Sequence, residues 1–153
     1  MTSTYSVNRA ISIAAPAADI YERIVDLHRW VDWSPWEGLD PDLERSYSGA
    51  DARVGAQYAW SGNRKAGKGQ MEIIRADDAS RVDIRVIFEK PMKSTSTSVF
   101  ELSGDGDTTT VSWTMVGEHS LFSRVAAPLG IFDKLLGKDF ERGLAQLKAV
   151  SES

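Results

Sequence analysis

The chain has 153 residues, a mass of 16.9 kDa and a formal charge of −4, from 18 Lys plus Arg against 22 Asp plus Glu. Its 42% hydrophobic and 26% charged residues are ordinary globular values and exclude a disordered chain. The mild acidity argues against a nucleic-acid partner or an anionic membrane surface, and the absence of cysteine excludes disulfides, thiolate metal sites and Cys nucleophiles.

In chain order, Tyr5, Val7, Ile11 and Ile13 alternate with Ser6, Asn8, Ala10 and Ser12, a period of two that predicts a half-buried strand. Pro16 suits the first turn of a helix, and Asp19 places negative charge near that helix's positive end. Ile20, Ile24 and Leu27 supply the apolar stripe, which predicts a helix over about 16–26. Trp30, Trp33 and Trp36 crowd the next segment, closed by Pro35 and Pro41, and suggest a short second helix and a bend that lock onto a sheet. From Leu43 to Gly117 the pattern is about six strands broken by turn residues, with Val82, Ile84, Val86 and Phe88 alternating in one and Val111, Trp113 and Met115 in another. Asp105-Gly106 marks a tight hairpin. The final stretch carries Leu129, Phe132, Leu136, Phe140, Gly143, Leu147 and Val150 on one helical face, and Pro128 and Gly130 mark a break near its start.

Strands segregated from helices define an α+β fold with a six- to seven-stranded antiparallel sheet, not a βαβ nucleotide fold. No linker or repeat divides the sequence, so a single domain over 1–153 is expected. No run of about 18 apolar residues exists, so no stable membrane insertion is expected. The opening MTSTYSVNRA lacks the order of a signal peptide, and a cytoplasmic location is the expectation.

A helix about 10–12 Å across cannot cover a sheet about 30 Å wide, so the sheet must curl, and curling leaves interior space. The run Ser94-Thr95-Ser96-Thr97-Ser98 and the glycines Gly67 and Gly69 offer little bulk to fill it. Two interiors remain open on this reading, one hollow and one filled by Trp and Phe rings.

Candidate chemistry is sparse. The segment Gly62-Asn63-Arg64-Lys65-Ala66-Gly67-Lys68-Gly69 nearly spells a phosphate loop but has glycine where a magnesium-binding hydroxyl belongs, so a basic hairpin tip is the better reading. His28 and His119 are the only histidines, too few for most metal sites, and neither a metal nor a cofactor is expected. His119 shares strand parity with Val111, Trp113 and Met115 and is a weak catalytic candidate, as is Asp133 beside Phe132. A structural rim histidine and a helix-flank charge are the competing readings. Arg9, interrupting an apolar face, is a candidate ligand anchor or a strand-edge charge.

The motif Trp30-Val31-Asp32-Trp33-Ser34-Pro35-Trp36 resembles the START-like SRPBCC superfamily, in its polyketide cyclase/dehydrase and lipid-transport branch. Val54-Gly55-Ala56-Gln57-Tyr58-Ala59-Trp60, Gly67-Lys68-Gly69-Gln70-Met71 and Gly137-Lys138-Asp139-Phe140-Glu141-Arg142-Gly143-Leu144 extend the likeness from Tyr5 to Val150. The resemblance implies a helix-grip fold, a curved sheet wrapped on the long C-terminal helix. It implies a hydrophobic small-molecule partner such as a lipid, polyketide or aromatic, bound by a monomer or homodimer. Expected ligand-binding residues are Trp60, Tyr58, Met71, Phe88, Trp113, Met115, His119 and Phe132. The alternatives are a cyclase or dehydratase in the same cavity, without metal or nucleotide, and a co-chaperone-like interaction module. The lack of an unambiguous acid–base pair favours a binder over an enzyme.

Overall fold

The computed structural model describes residues 4–38, 40–64, 66–90, 93–118 and 131–153, with side chains described at all of these except 4, 5, 105, 118 and 131–135. Strand β1 (Thr4–Ile13) leads into helix α1 (Ala17–Val25) and a 3-10 turn (Leu27–Asp32). Six strands follow: β2 (Glu44–Gly49), β3 (Ala56–Ser61), β4 (Lys68–Asp77), β5 (Arg81–Lys90), β6 (Ser94–Asp105) and β7 (Thr108–Glu118). Helix α2 (Ile131–Glu152) closes the chain. The seven strands form one antiparallel sheet in the order β1-β7-β6-β5-β4-β3-β2. This is the α+β helix-grip arrangement expected from the sequence. Leu129, Gly130 and Pro128 lie outside the described residues.

Local chemistry explains the element ends. Pro16 is extended at the N-cap of α1, one position outside the expected first turn, and its fixed φ starts the helix without a side-chain cap. Asp26 ends α1 and starts the 3-10 turn, its carboxylate accepting from the backbone N–H of His28 at 3.1 Å. The last carbonyls of a helix need outside donors, and two indoles supply them. Trp30 Nε1 donates to the Ile24 carbonyl at 2.8 Å, and Trp33 Nε1 to that of Arg23 at 2.9 Å. The tryptophan motif is thus the C-terminal cap of α1. In the β6–β7 hairpin Asp105 pairs with Thr108, and the positive φ of 61° falls on Gly106. The turn residues are therefore Gly106-Asp107, one position later than the Asp105-Gly106 signal suggested.

The core divides into unequal halves. Helix α2 packs chiefly along β1, at one edge of the sheet, and touches α1 and the 3-10 turn. Its Phe140 stacks on Trp113 of β7, centroids 4.1 Å apart and planes 7° from parallel, while Leu144 and Leu147 are fully buried. Trp30, Trp33 and Phe100 complete an aromatic cluster around Trp113. The strands on the far side, β2 to β4, rely on curvature rather than on α2 for their cover. Among the described residues, no helix is long and apolar enough to cross a membrane.

Candidate functional site

Under β2–β5 lies a cavity of about 340 Å³, within the usual range for small-molecule pockets. Period-two alternation turns Tyr47 of β2, Tyr58 and Trp60 of β3 and Phe88 of β5 to the concave face, and the register sets Tyr47 beside Tyr58. Tyr58 and Trp60 run nearly parallel, at 5.9 Å and 19°, and Phe88 meets Trp60 edge-on at 5.4 Å. Gly69 of β4 pairs with Trp60, and a Cβ there would lie 2.7 Å from the indole and 2.6 Å from the Ile87 carbonyl. The missing side chain lets the indole lie across β4. Gly69 therefore does not create the hollow; Trp60 occupies its space. The indole N–H donates to the Ala66 carbonyl at 3.0 Å, tying the wall to the 62–67 hairpin tip.

The described backbone donors of that tip at Gly62, Asn63, Ala66 and Gly67 are spent within the hairpin or on Asp40 rather than turned to a phosphate. Gly62 N–H donates to the Gly67 carbonyl at 2.9 Å and Gly67 N–H to that of Asn63 at 2.8 Å, while the Asp40 carboxylate accepts from Asn63 N–H at 2.8 Å.

Met71, Val86, Ser98 and Met115 form the cavity's inner surface beside Trp113. Trp113 is wholly buried, and its indole N–H is the one of the five tryptophans' without an acceptor among the described residues. Val31, 44% exposed, and Arg142 of α2 also line the cavity.

Two ion pairs flank the cavity. The Arg45 guanidinium pairs with the Glu37 carboxylate, which lines the wall. Arg142 donates to Asp139 Oδ1 at 3.0 Å and to the Pro35 carbonyl at 2.9 Å, and Asp139 Oδ2 accepts from Trp36 Nε1 at 3.3 Å. The Tyr58 phenol is pushed up to about 12, mainly by burial and then by the nearby Glu37 charge; the Arg45 charge works weakly the other way. Tyr47 is raised for the same leading reason.

The structure brings Tyr58, Trp60, Met71, Phe88, Trp113 and Met115 together around one space. His119 lies outside the described residues, and Phe132 and Asp133 belong to α2 at positions whose side chains are not among those described. Of the tryptophans read as locking the short helices onto the sheet, Trp30 and Trp36 also line the cavity, and Trp33 does not. Arg9 is not a cavity residue. It pairs with Glu141 at 3.3 Å and donates to the Asn8 carbonyl at 2.7 Å, and its guanidinium fills the space where a side chain at Gly137 would collide. His28 stacks on the outer side of Tyr47 at 4.0 Å and lines a separate hollow of about 140 Å³. Sequence reasoning missed Glu37, Tyr47, Asp139 and Arg142. The last two flank the apolar stripe of α2, a usable signal; Glu37 sits in a turn and gives none.

A curved antiparallel sheet gripping one long helix beside an aromatic-walled cavity defines the SRPBCC-type helix-grip proteins. The chain belongs to the polyketide cyclase / dehydrase and lipid transport family, whose model matches residues 4–152. No curated protein matches the sequence. Among solved structures, protein CV1439 from Chromobacterium violaceum is similar, with TM-score 0.69, 16% identity and 97% of both chains covered. The Aha1 dimer from Colwellia psychrerythraea shows TM-score 0.66 and 20% identity over 97% of this chain and 96% of that one. CalU16 from Micromonospora echinospora shows TM-score 0.62 and 18% identity over 99% and 86%. At these identities the likeness is one of fold.

Proposed function

We propose that the protein binds a hydrophobic small molecule, a lipid, polyketide or aromatic compound, inside the cavity under β2–β5. The observation that carries this reading is the 340 Å³ cavity itself, walled by Tyr58, Trp60, Phe88, Met71 and Met115, with the exposed Val31 among its lining residues. Aromatic faces and thioethers suit a flat apolar guest, and the family's description as cyclases and lipid-transport proteins agrees. His119 and Phe132 belong to the same proposed ligand site. The test is extraction of natively purified protein followed by mass spectrometry, with titration by the neutral dye Nile red. A co-purified apolar compound, or saturable dye emission that the compound displaces, is the expected result. Finding no compound and no dye uptake would sink the reading.

A second reading, cyclisation or dehydration in the same space, is favoured by the family description and by the Glu37 and Asp139 carboxylates at its wall. His119 and Asp133 are its proposed proton-transfer groups. Unchanged turnover of a polyketone test substrate in His119→Ala and Asp133→Asn would remove them from that role.

A further inference from the structure

We propose that the cavity selects neutral, oxygen-bearing apolar ligands over anionic ones, with Tyr58 as the residue that reads the ligand's acceptor oxygen. The proposal rests on the cavity being a ligand site and adds which chemistry it admits.

The charges at the wall are already matched. Arg142 is the only Lys, Arg or His among the described residues that line the cavity, and its guanidinium is engaged by Asp139 and the Pro35 carbonyl. Arg45 is committed to Glu37. Both carboxylates line the cavity themselves. A ligand carboxylate entering here would leave water, meet no unpaired cation among these groups and sit near two negative ones. Burying an ion without a partner is costly.

A neutral carbonyl or ether oxygen meets a different surface. The Tyr58 ring is held between Tyr47, at 5.1 Å, and Trp60, at 5.9 Å. Its hydroxyl lies near the Arg45–Glu37 ion pair, and no acceptor for its proton is found among the described residues. Burial keeps that phenol protonated far above neutral pH, so the donor is present under physiological conditions. The greasy body of the ligand would then lie along Trp60 and Phe88, with its oxygen toward Tyr58.

Three naphthalenes of one shape test this by calorimetry near neutral pH: the acetyl ketone, the isopropyl hydrocarbon and the ionised naphthoate. The expected order is ketone tightest, by about three- to tenfold over the hydrocarbon for one net hydrogen bond. Naphthoate should bind weakest, by roughly tenfold or more below the ketone. Tyr58→Phe should bring the ketone-to-hydrocarbon ratio to about one, and the wild-type series stands even if that variant folds poorly. Naphthoate binding as tightly as the ketone, or a ratio in Tyr58→Phe equal to that of the wild type, would overturn the proposal. Hydrocarbon binding without a ketone preference would overturn it alone; binding of none of the three would overturn the ligand-site reading and this proposal with it.

Discussion

Single residues decide the shape of the wall. Gly69 is buried against both the Trp60 ring and the Ile87 carbonyl, so Gly69→Ala forces the indole off β4 and strains the β4–β5 pairing. The expected loss is about 1–3 kcal/mol in chemical denaturation, the usual penalty for overpacking, together with a shift in tryptophan emission. Tyr58 carries a pH dependence. Its phenol is neutral when protonated and folding raises its affinity for that proton, so its stabilising contribution is complete below pH 10. It drains away as pH rises from 10 toward about 12. Alkaline denaturation of Tyr58→Phe should therefore fall less steeply across that window than the wild type. Equal slopes would show that burial of this hydroxyl has been misjudged. Tyr58 and Trp60 were legible in the sequence because alternation fixes their face. Glu37 and Arg45 were not, because an edge strand and a turn, each ordinary surface charge by pattern, meet only when the sheet curls.

At the level of elements, the stripe on α2 was readable in part: Phe140, Gly143 and Leu147 are buried, Leu136 and Val150 half-buried, and Leu144, outside the stripe, is buried as well. Phe140 stacks on Trp113 and has no exposure, so Phe140→Ala should cost about 3–5 kcal/mol. A denaturation midpoint within error of the wild type would mean that α2 is not what holds this half of the sheet. The sequence was silent on where along the sheet that helix lies. Periodicity tells which face is buried, never against what, and so a filled and a hollow interior both looked possible. Both exist. Rings pack the space under β7 and β6, and the space under β2–β5 stays open. The tryptophan motif shows the same limit from the other side. Its spacing announced structure, and Trp33 is structure, yet Trp30 and Trp36 also border the cavity.

For the whole molecule, the packed aromatic core and the open cavity lie largely in different halves. Ser98, 2% exposed on β6, lies at the inner end of the cavity. Ser98→Leu should fill empty volume with apolar atoms, leaving the melting temperature unchanged or raised while Nile red affinity falls by about tenfold, the worth of roughly 1.4 kcal/mol. A drop in stability with dye affinity intact would contradict this separation.

The off-centre seat of α2 has one more consequence. Because the helix anchors itself on β1, the partly buried Tyr58 and Phe88 can change without touching the Phe140–Trp113 stack that α2 secures. A combinatorial library confined to those two positions is expected to reshape the cavity wall while returning mostly well-folded proteins.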